Sequence, residues 1–191
     1  MLASGNTGKL RELQSLLSGR GIRVHAQGEY GVPEVEETGL SFVENAILKA
    51  RHATAHSGLP AVADDSGLEV DALEGAPGIY SARYAGPGAS DEANLGKLLQ
   101  ELGDLPAAKR GARFQCLLVF MRHRLDPTPI ICQGTWEGWI QTAPTGDNGF
   151  GYDPVFRVPD LGCSAAELDP QTKNRLSHRG QALAQLLIQL P

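Results

Sequence analysis

The sequence predicts an α/β domain. Four segments place apolar residues at helical spacing behind capping or small residues, and the runs between them read as strands. The 191 residues, 41% of them apolar, suffice for one domain (1–191) with a sizeable core and room for two lobes.

The chain opens with Leu-Ala-Ser-Gly-Asn-Thr-Gly-Lys over residues 2–9, a small-residue loop. Leu10, Leu13, Leu16 and Leu17 then recur at helical spacing, so a helix begins near Gly8 and ends near Gly19 to Gly21, with Thr7 as its N-cap. Only residues 1–3 remain for a strand before the loop. Either that strand is unusually short or the native start lies a few residues upstream. Residues 22–26 alternate as a short strand. Ser41-Phe-Val-Glu44 is a capping box, and its helix continues through Val43, Ile47 and Ala50 to about His56.

Residues 60–73 lie in strand context, and Gly75-Ala-Pro-Gly78 is a turn. Ser90 caps a helix with the stripe Leu95, Leu98, Leu99 and Leu102, and residues 103–110 read as a loop. Residues 112–123 form the most apolar strand, with 129–132 and 134–141 as two more, antiparallel to it. Trp136 and Trp139 read as sheet packing, and 155–158 as a final strand. Residues 165–168 start a helical turn that Pro170 breaks. Ser177 caps the last helix, with the stripe Leu183, Leu186, Leu187 and Leu190.

Seventeen basic against 22 acidic side chains give a net charge of −5, which argues against broad affinity for a nucleic-acid backbone but leaves room for a local basic pocket. Cys116, Cys132 and Cys163 are odd in number and too far apart for a zinc knuckle. Cys116 and Cys132 lie in apolar runs as small core residues. Reduced thiols fit the cytosol. No targeting segment is visible, and the longest apolar run, 116–121, is far short of the roughly 20 residues that cross a bilayer. The expectation is a cytoplasmic protein with no membrane partner.

The chemistry centres on Ala63-Asp64-Asp65-Ser66-Gly67-Leu68, two adjacent carboxylates inside an apolar run. Desolvating a carboxylate is costly without a partner, and a hard cation such as magnesium accepts oxygen ligands. The same residues also make good turn chemistry. Residues 4–9 feed a helix N-terminus with a lysine in its first turn, which suits an anion, although a glycine turn with a solvated lysine explains them as well. The spacing is not that of a Walker A loop. Asn45 and Lys49 share a helix face. Glu37 can reach toward a metal, or belong with Glu36 to an acidic surface loop. Glycines at 146, 149 and 151 display Phe150, which can stack on a flat ring, with Asp153 three residues on. Lys173, His178 and Arg179 gather at a helix entrance where the dipole disfavours cations, as if an anionic or carbonyl-rich ligand sat among them. Together these groups describe a nucleotide held by its phosphates and its base.

Six runs occur in order over essentially the whole chain: Ser4-Gly-Asn-Thr-Gly-Lys9; Glu36-Glu-Thr-Gly-Leu-Ser-Phe-Val-Glu-Asn-Ala46 with Lys49; Ala63-Asp-Asp-Ser-Gly-Leu-Glu-Val-Asp71; Gly75-Ala-Pro-Gly-Ile-Tyr-Ser-Ala-Arg-Tyr84; Gly149-Phe-Gly-Tyr-Asp-Pro154; and Lys173 with Ser177-His-Arg-Gly180. In these the sequence resembles the inosine triphosphate pyrophosphatase family, its bacterial branch most. The resemblance implies a two-lobed α/β fold around an elongated mixed sheet flanked by helices, with the active site in the cleft between lobes. It implies a homodimer, Mg2+, and hydrolysis of noncanonical purine nucleoside triphosphates (ITP, dITP, XTP) to the monophosphate and pyrophosphate. By the same match Asp65 resembles the catalytic general base or metal-bound acid that activates water, and Glu37 and Asp64 resemble carboxylates that bind the metal beside Asp65 or stand just behind it. Ser4, Gly5, Asn6, Thr7, Gly8, Lys9, Lys49 and Lys173 resemble the triphosphate-binding groups, and Ser66 a substrate contact. Phe150 resembles the base-stacking ring, with Gly151, Tyr152, Asp153, His178 and Arg179 completing the base pocket.

Overall fold

The computed structural model describes residues 1–18 and 21–190, apart from the side chains of Leu16 and Ser18. The helices are α1 (Thr7–Ser18), α2 (Phe42–Ser57), α3 (Asp91–Leu102), α4 (Pro170–Leu176) and α5 (His178–Gln189). The strands are β1 (Ala61–Val70), β2 (Gly111–Met121), β3 (Ile130–Ile140), β4 (Phe156–Val158) and β5 (Cys163–Ser164). They form one antiparallel sheet in sequence order, so the α/β class stands. The expected mixed sheet is thus antiparallel in its named strands, and the parallel pairing is confined to Leu2, which bridges outside them to Ala26 and to Val62 of β1. Two compact units divide the chain: Met1–Asp65, Cys116–Gly134 and Arg179–Pro191 in the first, Ser66–Gln115 and Thr135–His178 in the second.

In the first unit the core joins Leu13 and Leu17 of α1, Leu118 of β2 and Leu183 and Leu186 of α5 around Leu2. Cys116 and Cys132 belong to it as small buried residues. The short first strand is a single bridging residue: Leu2 N–H donates to His25 O, and Ala3 N–H to Val62 O, both at 2.8 Å. The expected strand at 22–26 is likewise reduced to Ala26, because Gln14 Oε1 of α1, not a neighbouring strand, accepts the Val24 N–H at 2.9 Å. α1 begins one residue earlier than expected. Its cap is Asn6 rather than Thr7, since Asn6 Oδ1 accepts the Lys9 N–H at 3.0 Å. The expected helix end falls partly on Gly19 and Arg20, which lie outside the described residues. Ser41 caps α2 as its motif predicts. Glu44 accepts from Leu40 N–H and from the Ser41 hydroxyl, at 2.9 and 2.7 Å.

In the second unit Leu68 and Val70 of β1, Leu98 and Leu102 of α3, Phe114 of β2 and Ile140 of β3 pack around Trp136 and Phe156, whose ring centroids are 5.2 Å apart. Two sequence expectations change here. The strands at 129–132 and 134–141 are one, β3, because buried Gly134 continues the extended chain. Pro170 starts a helix instead of ending one: it occupies the first position of α4, where its missing N–H costs nothing, and Asp169 caps the Gln171 and Thr172 N–H groups at 3.0 Å. The loop over 103–110 holds Arg110 at 1% exposure, donating to the carbonyls of Ile140, Gly103 and Leu105.

Candidate active site

β1 decides the opening question about Asp64 and Asp65: the stretch is strand, not turn. Successive side chains of a strand face opposite sides. The two carboxylates are therefore answered by different helices of the first unit. Asp64 Oδ1 accepts from Lys9 Nζ of α1 at 2.5 Å, and its Oδ2 from Arg179 Nε of α5 at 2.6 Å. The Cys116 thiol lies 3.6 Å from the same Oδ2. Asp64 is 2% exposed. Burial opposes its ionisation, but Arg179 and then Lys9 outweigh that and hold the carboxyl well below the usual carboxylate range. Arg179 also pairs with Glu12 of α1, a partner not anticipated from sequence. Its only sequence signal is the three-residue step from Lys9 along α1.

Asp65 faces Lys49 of α2, whose Nζ lies 2.6 Å from Asp65 Oδ1 and 2.7 Å from Glu37 Oε1. Burial pushes the Asp65 carboxyl up despite Lys49, and the Glu37 charge adds to the rise. Lys49 itself is held above its ordinary value: burial lowers it, but the two carboxylates outweigh burial. The second oxygen, Asp65 Oδ2, is buried without a hydrogen-bond partner. That leaves it as the acceptor available for a proton or a cation. Glu37 is thus drawn into the site, whereas Glu36 beside it is exposed.

The loop of Ser4, Gly5, Asn6, Thr7, Gly8 and Lys9 precedes and enters α1 as expected, and Gly5, Asn6 and Thr7 are exposed. Ser4 Oγ accepts the Asn6 N–H at 3.1 Å, which shapes the loop. Among the described residues no group of three or more His, Cys, Asp or Glu is arranged to hold a metal. Asp64, expected as a metal carboxylate, has both oxygens engaged by cations, so the open position in this set is Asp65 Oδ2.

In the second unit Ser66 is half-buried in β1, directly after Asp65. Asp153 organises the aromatic loop. Its Oδ2 accepts the Phe150 N–H at 2.8 Å and Lys173 Nζ at 2.6 Å, and the Lys173 ammonium sits 5.0 Å from the Phe150 ring centroid. Gly149 has φ 80°, and a Cβ there would fall 2.1 Å from Asp153 Oδ2, so both conformation and space require glycine. Phe150 keeps 36% of its surface exposed. Two unanticipated residues brace the loop: Asp91 Oδ2 accepts the Gly151 N–H at 2.7 Å, and Ser81 O accepts the Tyr152 hydroxyl at 2.8 Å. Neither is marked by sequence beyond its helix-start or turn chemistry. His178 stacks on Phe114, centroids 4.8 Å apart and planes 14° apart. His178 and Arg179, expected as a donor pair, are neighbours at the head of α5 but answer different partners, an aromatic ring and two carboxylates.

The first unit thus carries a loop entering a helix with a lysine and two carboxylates on opposite sides of one strand, and the second a braced, partly exposed aromatic, within an α/β fold. A profile of the Ham1 family matches residues 1–189. The chain belongs to the Ham1 family. The dITP/XTP pyrophosphatase of Vibrio parahaemolyticus is 62% identical over 190 residues, covering 100% of this chain and 95% of its own length. That of Methylococcus capsulatus is 61% identical over 190 residues, with 100% and 94% covered. The solved structure of a HAM1 protein from Coxiella burnetii matches with a TM-score of 0.91 at 53% identity, covering 99% of this chain and 98% of that one.

Proposed function

We propose that this protein hydrolyses noncanonical purine nucleoside triphosphates, namely ITP, dITP and XTP, to the monophosphate and pyrophosphate. That activity would clear the nucleotide pool before such bases enter DNA and RNA. The observation that carries this reading is Asp65, buried beside Lys49 with Oδ2 unpartnered. Relatives near 60% identity bear the name dITP/XTP pyrophosphatase.

In this reading Lys49 fixes Oδ1, and Oδ2 takes a proton from the water that attacks the α-phosphorus. Burial makes Asp65 a stronger base than an ordinary carboxylate, which suits general-base work. Pyrophosphate leaves as the P–O bond to the α-phosphorus breaks. Lys9, Lys49 and the loop N–H groups at the head of α1 neutralise the triphosphate, and Lys173 and Ser66 add donors. Asp64 acts by holding Lys9 and Arg179 in place.

Magnesium binds through one or two carboxylates plus substrate phosphates, and keeps several waters. Glu37 would fit that sparse ligand set, with Asp65 and Asp64 beside it, and Asp65 Oδ2 keeps its place as the proton acceptor. When bound, the ion supplies charge neutralisation at the phosphates.

For the base, Phe150 supplies the stacking face, and Gly151, Tyr152 and Asp153 the wall beside it. Hypoxanthine and xanthine carry a 6-keto acceptor where adenine carries a 6-amino donor. Donors from His178 and Arg179 would leave adenine with donor facing donor, a mismatch that discriminates by orders of magnitude. The three cysteines are free, which suits the reducing cytoplasm, and no helix among the described residues is long and apolar enough to cross a membrane. A homodimer is the assembly implied by the resemblance, and light scattering tests it.

The deciding experiment measures pyrophosphate release from ITP, dITP, XTP, dUTP and ATP with and without magnesium. Fast release from the 6-keto purines supports the reading. Equal rates on ATP overturn it, and a preference for dUTP would make the protein a pyrimidine nucleotide pyrophosphatase.

A further inference from the structure

Asn45 is fully buried on α2, one helical turn before Lys49. Its Oδ1 accepts the Gly39 N–H at 2.8 Å, while its Nδ2 is buried with no hydrogen-bond partner. An apolar residue there would avoid stranding an amide nitrogen, so the position keeps a polar side chain at a cost in stability. The contact is also sterically tight. A Cβ on Gly39 would lie 2.7 Å from Asn45 Oδ1, 3.0 Å from Asn45 N and 2.6 Å from Glu44 Cβ. The φ of Gly39 is not positive, so it is the close approach that requires glycine there.

What this clamp holds is the chain end that delivers Glu37. Gly39 is two residues after Glu37, and Leu40 N–H is fixed to Glu44 at 2.9 Å. These bonds fix the chain just after Glu37 to the first turn of α2, and a 3.0 Å contact between His52 and Pro33 O holds it to α2 on the other side. With them, Glu37 Oε1 meets Lys49 Nζ at 2.7 Å, and the same ammonium meets Asp65 at 2.6 Å. We propose that Asn45 is a positioning residue for the hydrolysis: by pinning Gly39 it sets Glu37 against Lys49, and through Lys49 it orients Asp65. The inference rests on the function proposed above. Asn45 touches none of the reacting atoms in this scheme and acts only through Glu37.

The test is a double-mutant cycle on the full-length protein, with ITP and magnesium, using Asn45→Ala, Glu37→Gln and the double variant. The expected result is a fall in kcat of about tenfold or more for Asn45→Ala with a smaller change in KM, since orientation of the base is lost more than binding. Because Asn45 acts through Glu37, adding Asn45→Ala to Glu37→Gln costs less than about twofold further. A merely structural role gives the full loss in both backgrounds, and that result overturns the proposal. Gly39→Ala attacks the same contact from the other side and serves if Asn45→Ala does not fold; it must reproduce the kcat loss and the same non-additivity. A readout free of substrate and metal accompanies these. The Gly39 amide should exchange slowly with solvent in the wild type and fast in Asn45→Ala, and equal exchange overturns the clamp. A wild type that releases no pyrophosphate from ITP overturns the functional reading and this inference with it. An active wild type with unaffected variants overturns the inference alone.

Discussion

Arg179 Nε donates to Asp64 Oδ2 across 2.6 Å, although the two residues are 115 positions apart in the chain. Both are closed to solvent, at 3% and 2% exposure. Lys9 takes the other Asp64 oxygen and Glu12 takes the other side of Arg179, so two cations and two anions alternate within the first unit. The guanidinium that a sequence reading places in a base pocket is therefore also the counter-charge for the strand.

Removing that guanidinium takes a cation from the buried Asp64 carboxylate. Arg179→Ala should destabilise the protein by about 3–5 kcal/mol, the usual cost of stranding one partner of a buried pair. Urea denaturation followed by circular dichroism measures it. An unchanged midpoint would mean that the remaining partners of Asp64 suffice.

The two adjacent carboxylates should give opposite pH dependences of stability. Asp64 is depressed in the folded state, chiefly by Arg179 acting against burial. Its contribution is full at neutral pH and disappears as pH falls through the folded value. The wild type's advantage over Asp64→Asn should accordingly shrink on acidification. Asp65 is raised by burial, so its contribution is full in acid and is lost as pH rises through its folded value. Relative to Asp65→Asn the wild type should weaken toward neutral pH. Thermal unfolding across pH 3–8 for all three proteins reads both slopes, and parallel slopes would contradict the assignments.

Asp65→Asn should lower ITP turnover by at least about 10²-fold, because the amide cannot accept the water's proton. Binding of ITP, measured by calorimetry, should survive. Retained turnover would remove Asp65 from the catalytic role and leave Lys49 as its structural partner only.

Phe150→Ala should weaken nucleotide binding by roughly 1–3 kcal/mol, the range for aromatic–base stacking. The ring is 36% exposed, and its loop is held by backbone bonds to Asp153 and Asp91, so the unfolding temperature should hardly move. An unchanged Michaelis constant would make the ring part of the loop's packing.

Much of this was legible in the chain itself. Ser41, Ser90 and the leucine stripes mark helices because capping and periodicity are local properties. The Asp64-Asp65 pair stands out because charge inside an apolar run is costly wherever the chain goes. The misplacements are equally local in origin. Pro170 starts a helix, although sequence rules allow a proline either to break a helix or to begin one. Gly134 looks like a boundary between strands, yet in a sheet it extends β3.

Local sequence carries the elements, the acidic pair, the small-residue loop before α1 and the glycine-framed aromatic, since each is set by neighbours within a few residues. Only the tertiary structure decided the division of labour within the pair. Alternation along β1 turns Asp64 toward Lys9 and Arg179 and Asp65 toward Lys49, and which cation waits on each side depends on helices from distant parts of the chain. The roles of Glu12, Asn45, Asp91 and Arg110 were decided in the same way. Each is an ordinary polar residue until burial removes water and makes a single protein partner matter.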